Sequence, residues 1–317
     1  MYRVLVVGVG LMGFAHAKAC AALSDTKIVG LVARDFQKWQ PVTDFFPDVP
    51  LYNDFDSALL SSKPDVVIIS SFTDTHAPYA IKAMEAGAHV FVEKPLSTTI
   101  HDAGRVIATA RKYNRTLYVG LILRHHALWQ KFCDCVGKIG TPINVSMTSH
   151  QHSTGDDWQH HKNILSAGLS PIVDVGIHYA DLMIRLMGGD VANIRTRGTK
   201  TNPDSPVIND ISLKITYTDG SVFSLESGLG PEISPNRPNI KQASGPGGIV
   251  RITPENTVHF NDESFSFADD LYDKAILEQQ KYFFDAIKEN RDMEDHYQQV
   301  ALGMATVLVA EQEMIKY

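Results

Sequence analysis

The feature that most constrains the fold is an apolar run that ends in a glycine-rich turn near the start of the chain. Residues 4–7 (VLVV) are all apolar, as in a strand that is buried on both faces. Residues 8–13 read GVGLMG and fit the pattern G-x-G-x-x-G. Gly8 permits a tight turn, Gly10 lets the backbone approach a pyrophosphate, and Gly13 lets helix and strand pack closely. A strand, this turn and a following helix together predict dinucleotide binding.

The first 123 residues alternate between strand-like and helix-like segments. Further apolar runs, separated by helical segments, occur at 27–33, 65–71, 89–93 and 116–123. Such alternation is typical of βαβ units, which form a parallel sheet. We predict that residues 1–123 form an α/β Rossmann domain with a doubly wound parallel sheet.

The hydrophobic period changes in the second half of the chain. Between residues 211 and 217 apolar and polar residues alternate, and Asp219-Gly220 then predicts a hairpin turn. We predict a long loop at 231–248, which is rich in Pro, Gly, Asn and Ser. Further strand candidates lie at 143–149, 193–198, 248–253 and 257–260. Residues 124–317 are therefore predicted to form an α+β domain with a large, open, mostly antiparallel sheet.

Composition and charge exclude several classes of partner. The 317 residues include 29 basic and 36 acidic ones, and the net charge of −7 argues against nucleic acid or an anionic membrane as a partner. No apolar run approaches the ~20 residues that span a bilayer, and the first residues form a strand-like run rather than a secretory signal. Three cysteines cannot form a disulfide framework. These features predict a cytoplasmic protein with reduced thiols.

The end of the second strand bears on the type of dinucleotide. An acidic residue that binds the ribose 2′-hydroxyl of NAD is expected about 20 residues after the glycines. This chain has Ala33 followed by Arg34 near that place. A guanidinium suits a 2′-phosphate, so we favour NADP. NAD is the alternative, with Asp35 on the ribose and Arg34 in solvent.

Lys94 is the first candidate catalytic residue. It follows the strand-like run at 89–93, at the carboxyl side of the predicted sheet. Open α/β sheets bind ligands at that side. A lysine beside a cofactor can bind a substrate oxygen and stabilise the charge that develops on it. A solvated lysine at a strand end is the alternative.

A second candidate site lies on a helix that is predicted to start at Ser170-Pro171 and to end at Gly188. The spacing of Asp174, His178 and Asp181 places them on one face of this otherwise apolar helix. Histidine is a natural proton acceptor near neutral pH, and a carboxylate can orient it. A purely structural hydrogen bond between histidine and aspartate is the alternative.

Taken in order, the glycine turn, Glu93-Lys94-Pro95 and the Asp174-to-Asp181 motif resemble the Gfo/Idh/MocA oxidoreductases, the family of glucose–fructose oxidoreductase and inositol dehydrogenase. The resemblance covers nearly the whole chain. It implies a Rossmann domain at 1–123 that binds NADP or NAD. It also implies a domain at 124–317 that binds substrate and packs subunits into homodimers or homotetramers. Lys94, Asp174 and His178 are implied to be catalytic, with Pro95 often preceded by a cis peptide.

The site residues are assigned from this resemblance and from the polar stretch 150–162, whose Trp158 suits stacking on a sugar face. The assigned cofactor-binding residues are Gly8, Gly10, Leu11, Met12, Gly13, Ala33, Arg34, Ser71, Phe72, Thr73, His76, Glu93, Lys94 and Pro95. The assigned substrate-binding residues are Lys94, Arg124, His152, Asp157, Trp158, Asp174 and His178. Two positions depart from the family pattern, since Phe72 replaces a common proline and 168–171 (GLSP) replaces a glycine run.

The predicted reaction is hydride transfer between a nicotinamide and a sugar, inositol or related polyol. His178 takes the hydroxyl proton, Lys94 binds the same oxygen, and Asp174 positions its neighbours. Two other functions remain open. One is a NAD-dependent glycoside hydrolase of the same family, and the other is a non-catalytic nucleotide-sensing protein.

The stretch 150–162 also permits other interpretations. Its histidines can ligate a metal, but they lack a recognisable ligand set, and no metal is predicted. A plain surface loop is the third interpretation. The alternative metal ligands are the pairs His150 with His152 and His160 with His161.

Overall fold

A computed structural model of the chain describes residues 1–166, 169–201 and 208–316. Contacts divide the described residues into two compact units. The first unit comprises Met1–His125 and Tyr272–Ala301. The second comprises the described residues between 126 and 271 and those from Leu302 onwards.

The first unit is built on a parallel sheet. Its described strands are β1 (Tyr2–Val7), β2 (Thr26–Val32), β3 (Leu51–Tyr52), β4 (Val66–Ile69), β5 (His89–Glu93) and β6 (Leu117–Gly120). The connecting helices are α1 (Leu11–Ala21), α2 (Gln40–Phe45), α3 (Phe55–Ser62), α4 (Thr73–Glu85) and α5 (Ile100–Tyr113). The order β3-β2-β1-β4-β5-β6 is that of a doubly wound sheet and confirms the predicted fold class. The four residues of β4 are fully buried because helices cover both faces.

The second unit combines helices with a larger sheet. Its first elements are α6 (Ala127–Val136), β7 (Asn144–His152), α7 (Gly155–Ser166), α8 (Pro171–Asp174) and α9 (Gly176–Met187). Its later strands are β8 (Val191–Thr199), β9 (Asp210–Tyr217), β10 (Val222–Gly230), β11 (Lys241–Gly245), β12 (Gly248–Thr253), β13 (Thr257–Phe260), β14 (Glu263–Ser266) and β15 (Ile315–Lys316). Within the described ranges the strand order is β14-β13-β12-β11-β7-β10-β9-β8-β15.

This second sheet is mostly antiparallel, as predicted, with parallel pairing between β7 and β10 and between β8 and β15. The alternation that predicted β9 is visible in its burial, since Ile211, Leu213 and Ile215 are buried. Ser212 and Lys214 point to the opposite, exposed side. Helices α8 and α9 pack on β9 and β10 and cover the apolar face.

Two segments of the second unit differ from the prediction. The predicted loop at 231–248 contains β11, which pairs with β7 and β12 although its KQASG sequence has little strand propensity. The stretch 150–162 is the end of β7 followed by α7, so the surface-loop interpretation is wrong. Backbone pairing with neighbouring strands stabilises β11 where local propensity does not.

Two C-terminal helices, α10 (Leu271–Lys288) and α11 (Glu294–Gln312), follow the sheet. The predicted second domain ran from 124 to 317, whereas contacts group Tyr272–Ala301 with the first unit. The reason is apolar packing on the parallel sheet. The Phe283 ring lies 5.9 Å from that of Phe91, and the Phe284 ring lies 5.6 Å from that of Tyr2. Over the described ranges, no helix is both long and apolar enough to cross a membrane.

Candidate active site

The glycine-rich turn joins β1 to α1 at the carboxyl edge of the parallel sheet. Gly8 has a φ of +82°, and a Cβ there would lie 2.5 Å from the carbonyl oxygen of Ser70. A Cβ on Gly13 would overlap the carbonyl oxygen of Gly8. The fold itself therefore requires glycine at both positions.

Gly10 differs from the other two glycines of the turn. A Cβ there would meet, among the described residues, only the edge of the Trp39 ring at an ordinary 3.6 Å. Gly10 is the N-cap of α1, and that helix has neither a side-chain cap nor an acidic residue in its first turn. The adjoining Leu11 is 81% exposed, and Met12 is half-buried. The uncapped N–H groups at the positive end of the helix dipole suit a phosphate group.

The segment after β2 carries the side chains that bear on the type of dinucleotide. Ala33 is half-buried, and Arg34 is exposed. The guanidinium of Arg34 lies 4.7 Å from the centroid of the Phe72 ring, which is 60% exposed. This is a cation–π contact. An Asp35 carboxylate oxygen accepts the backbone N–H of Gln37 at 3.0 Å, so it already belongs to a local turn.

His76 joins the segments that follow β4 and β5. It is 2% exposed, with Nδ1 at 2.8 Å from the carbonyl oxygen of Pro95 and Nε2 at 3.0 Å from that of Ser71. Burial lowers the pKa of His76, against the opposing effect of the two carbonyl groups. The Ser71 hydroxyl also hydrogen-bonds the hydroxyl of Thr75 at 2.6 Å, and half-buried Thr73 begins α4. His76 thus lies between two backbone segments at the sheet edge, and as a neutral ring it can donate its single N–H to one of the two carbonyl groups.

Glu93 and Lys94 lie at the end of β5. Glu93 is 8% exposed, and its Oε1 accepts a hydrogen bond from Nε2 of His16 at 2.8 Å. Its Oε2 accepts the backbone N–H of Lys94 at 3.2 Å. The peptide bond between Lys94 and Pro95 is cis. Half-buried Lys94 therefore follows a carboxylate of fixed orientation, at the same sheet edge as the glycine turn.

Two buried residues beside this site were missed by the sequence analysis. His16 on α1 and Gln280 on α10 are both fully buried, and Nε2 of Gln280 lies 3.0 Å from Nδ1 of His16. A signal for His16 was present, because it shares the buried side of α1 with Gly13 and Cys20, where a polar group needs a partner. Gln280 carries no such local signal.

Arg124, a predicted substrate-binding residue, lies just after β6 in the first unit. Its Nη1 is 3.0 Å from Nδ1 of His296, a 6% exposed residue of α11. The backbone N–H of Val119 lies 3.1 Å from the other ring nitrogen. Burial, assisted by the charge of Arg124, holds the pKa of His296 well below its usual range. A neutral His296 has one acceptor nitrogen, so it can accept a hydrogen bond from only one of these two donors, Arg124 or Val119.

Asp174 and His178 lie in the second unit, on either side of a helix break. The single helix predicted from Ser170-Pro171 is divided, since α8 ends at Asp174 and α9 begins at Gly176. The backbone N–H of His178 bonds to the carbonyl of Val175 at 3.2 Å. Asp174 and His178 are both half-buried.

Asp181 is 1% exposed and is therefore more deeply buried than Asp174 and His178. The helical face that the three residues are predicted to share stays a prediction. The start of the segment was predicted correctly, because Ser170 caps α8 by accepting the N–H of Ile172 at 3.1 Å. Gly168, the first residue of the segment 168–171 that differs from the family pattern, lies outside the described residues.

The other predicted substrate residues of the second unit surround the start of α7. Nδ1 of His152 lies 2.9 Å from the carbonyl oxygen of Ile233, and Asp157 is exposed. Trp158 is half-buried, and its ring lies against Gly230, where a Cβ would be 3.2 Å away. Trp158 is thus held by the backbone of β10.

The geometry does not support the alternative interpretation that histidines of the stretch 150–162 ligate a metal ion. Across the described ranges, no group of three or more His, Cys, Asp or Glu residues could hold a metal ion. The ring of His161 instead hydrogen-bonds the hydroxyl of Ser153 at 3.0 Å. The side chain of His160 lies outside the described part of the structure.

Comparison with known protein families identifies both units. Residues 2–121 match the family model described as "Oxidoreductase family, NAD-binding Rossmann fold". Residues 136–231 match the GFO/IDH/MocA C-terminal domain. The chain belongs to the Gfo/Idh/MocA family. The resemblance found in the sequence motifs is therefore confirmed.

Individual members of the Gfo/Idh/MocA family share only about a quarter of their aligned residues with this chain. The chain is 26% identical over 189 residues to the D-glucoside 3-dehydrogenase of Escherichia coli, covering 59% of this chain and 54% of that protein. It is 24% identical over 222 residues to the inositol 2-dehydrogenase of Salmonella typhimurium, covering 68% of this chain and 64% of that protein. The chain thus spans less than two thirds of the length of these relatives.

Solved structures share the fold. A scyllo-inositol dehydrogenase from Lactobacillus casei, solved with NAD(H) and scyllo-inositol, superposes with a TM-score of 0.79 at 18% identity over 99% of this chain and 97% of that chain. An oxidoreductase from Thermotoga maritima gives a TM-score of 0.84 at 18% identity, covering 98% of this chain and 96% of that chain. At such identities the likeness shows the fold alone.

Proposed function

We propose that this chain is an NAD(P)-dependent oxidoreductase that transfers a hydride between a nicotinamide cofactor and a hydroxyl or carbonyl group of a sugar, inositol or related polyol. The observation that carries the proposal is the position of Lys94, which follows β5 at the sheet edge that bears the glycine-rich turn. Open α/β sheets bind ligands at this edge. The family and the printed activities of the D-glucoside and inositol dehydrogenases support the substrate class.

The role of each catalytic residue follows from its chemistry. When bound, a nicotinamide supplies the hydride acceptor or donor. In the oxidative direction, His178 takes the proton of the reacting hydroxyl as general base. Lys94 donates a hydrogen bond to the same oxygen and stabilises its anionic character. Asp174 orients His178 or holds a neighbouring hydroxyl. The carbinol carbon loses a hydride and becomes a carbonyl carbon, so two electrons and two hydrogens leave the substrate.

The residues of the first unit fit a dinucleotide. Gly8 and Gly13 are required by the fold, whereas a Cβ on Gly10 would meet only ordinary contact within the described residues. A glycine that packing does not require, at the uncapped start of α1, is explained by a ligand that approaches the backbone there. Leu11 and Met12 would border the pyrophosphate, and Ser71, Thr73 and Pro95 would border the rest of the cofactor.

For the type of dinucleotide, we infer a preference for NADP. The exposed guanidinium of Arg34 stacks on Phe72, and its N–H groups can bind a 2′-phosphate while the plane of the guanidinium stays on the ring. Arg34→Ala should lower kcat/KM with NADP by about tenfold and leave the value with NAD nearly unchanged. Equal losses with the two cofactors would contradict the role of Arg34.

The substrate class can be tested with a panel of polyols and aldoses, each assayed with NAD and with NADP by the absorbance of the reduced nicotinamide. Turnover of at least one polyol is expected, with Arg124, His152, Asp157 and Trp158 contributing to its KM. Cleavage of a glycoside without net formation of reduced cofactor would instead identify a hydrolase. Tight cofactor binding without any turnover would identify a nucleotide sensor.

We also infer that the protein forms homodimers or homotetramers. Support comes from the family and from the side of β9 that carries Ser212 and Lys214, which is exposed and polar. Light scattering on the purified chain is expected to give two or four times the mass of 35.0 kDa. A monomer at assay concentration would contradict this inference.

A further inference from the structure

Inside the first unit, four side chains from distant parts of the sequence form one continuous chain of hydrogen bonds. Cys20, His16 and Gln280 are fully buried, and Glu93 is 8% exposed. The Cys20 thiol lies 3.6 Å from Oε1 of Gln280, whose Nε2 lies 3.0 Å from Nδ1 of His16. Nε2 of His16 lies 2.8 Å from Oε1 of Glu93. The chain ends at the backbone N–H of Lys94, 3.2 Å from Oε2 of Glu93.

The chemistry of these groups allows one assignment of the protons. An ionised carboxylate only accepts hydrogen bonds, so Nε2 of His16 carries the proton that it donates to Glu93. Nδ1 of His16 then has a free lone pair, which accepts a hydrogen bond from the amide nitrogen of Gln280. The amide oxygen of Gln280 accepts from the Cys20 thiol, whose pKa is raised by burial. Each contact in the chain therefore pairs a donor with an acceptor.

A glycine of β6 and the ring of Phe91 border this chain of hydrogen bonds. A Cβ on Gly120 would lie 2.8 Å from Oε1 of Glu93, so glycine at this position in β6 makes room for the carboxylate. The Phe91 ring lies 4.7 Å from the ring of His16 and packs against it. Buried polar groups that are fully satisfied hold a single arrangement, because each alternative leaves a donor or acceptor without a partner.

We propose that His16 and Gln280 are positioning residues for the reaction. They hold the Glu93 carboxylate in one orientation, and through its second oxygen they fix the backbone at Lys94. His76 fixes the other side of the same turn through the carbonyl of Pro95. This inference rests on the proposed function, since it gives the four-residue chain a purpose only if Lys94 acts on a substrate.

Two adjacent glutamines on α10 provide a matched pair of variants. Gln279 and Gln280 are both fully buried, but in the described structure neither polar side-chain atom of Gln279 has a hydrogen-bond partner. Gln280→Leu should lower kcat by about tenfold, as losses of outer supporting hydrogen bonds do, while KM and the Kd for the cofactor stay within about twofold. Gln279→Leu should leave kcat unchanged. Equal kcat values in the two variants, or a loss that appears only in KM, would overturn the proposal.

A spectroscopic measurement tests the chain even if Gln280→Leu fails to fold. The ¹⁵N chemical shifts of the wild-type histidine rings report which nitrogen carries the proton, and His16→Gln identifies the His16 signals by their loss. A neutral ring protonated at Nε2 is expected. If Nδ1 carried the proton instead, it could not accept from Gln280, and Nε2 could not donate to Glu93. That result would overturn the proposal.

The outcomes also separate this inference from the proposed function. A wild-type protein that oxidises no polyol with either cofactor overturns the function and, with it, the positioning role, whatever tautomer His16 adopts. An active wild-type protein with equal kcat in the two leucine variants leaves the function standing and removes the role of Gln280.

Discussion

The candidate catalytic residues of the two units are held in different ways. Lys94 follows a buried strand, and buried hydrogen bonds from His16 to Glu93 and from His76 to Pro95 hold the turn on both sides. Asp174 and His178 instead flank a break between two helices, where His178 makes a backbone bond to the third residue before it.

This difference shows two ways to place a functional side chain. The end of β5 has a position that is set by its two neighbouring strands, β4 and β6, and the carboxyl ends of these parallel strands lie at one edge of the sheet. Between α8 and α9, the positions of Asp174 and His178 depend instead on the local backbone around Val175.

Replacement of the residue at the strand end should have the largest effect. Lys94→Ala is expected to lower kcat by about a thousandfold, because the group that stabilises the charge on the reacting oxygen is lost. The Kd for the cofactor, measured by fluorescence titration, should change little. Lys112→Ala, at an exposed lysine on α5, is the control and should behave like the wild type. Loss of cofactor binding in Lys94→Ala would contradict the assigned role.

Replacement at the helix break should have a smaller effect on turnover. His178→Gln removes the proton acceptor and is expected to lower kcat by about a hundredfold, with a weaker dependence of kcat on pH. Asp174→Asn should lower kcat less, since the general base remains. A wild-type pH profile in His178→Gln would show that another group takes the proton.

The glycine turn distinguishes a requirement of the fold from a requirement of the ligand. Gly13→Ala should prevent folding, because its Cβ would overlap the carbonyl of Gly8. Gly10→Ala should fold with a near-normal Tm but bind the cofactor about tenfold more weakly, since the backbone can no longer be approached as closely. Unchanged cofactor affinity in a folded Gly10→Ala protein would place the pyrophosphate elsewhere.

Acidification should affect the first unit before the second. Burial lowers the pKa of His89 to about 4 and that of His296 well below its usual range. The unfolded histidines titrate near about 6.5, so the unfolded state binds more protons below that pH. The stability that these neutral histidines contribute is fully present above pH ~6.5 and is lost as the pH falls towards about 4. Hydrogen-exchange protection factors, which correct for the slower intrinsic exchange at low pH, are expected to fall in β5 and β6 earlier than in β9 and β10, and the reverse order would contradict this.

The parts that were predictable from sequence are those with a local signal. The apolar run of β1 and the turn at Gly8 follow from residue type and spacing, and the alternation at Ile211–Ile215 follows from the period of a strand. Strand β11 was missed because its pairing with β7, rather than its composition, makes it a strand. The break at Val175 lies between Pro171, which suits the first turn of a helix, and Gly176, and neither residue type alone indicates where a helix is interrupted.

The hydrogen-bond partners of buried site residues were also not predictable, because the partners are far apart in the sequence. His16 can be suspected from its place on the inner side of α1, but its partner Gln280 is 264 residues away. No periodicity connects two such positions, and only the packing of α10 on the parallel sheet brings them together. The chemistry of Lys94 was predictable, whereas the groups that hold its backbone were not.

The return of the chain to the first unit has a consequence for synthesis on the ribosome. When β6 has been made, Glu93 and His16 are present, but Gln280, Phe283 and Phe284 have still to be translated. The parallel sheet therefore leaves the ribosome with an uncovered apolar surface and an incomplete set of buried hydrogen bonds. A premature stop before residue 272 leaves a fragment that chaperones and proteases recognise. The first unit is completed only after its second segment, Tyr272–Ala301, has been translated.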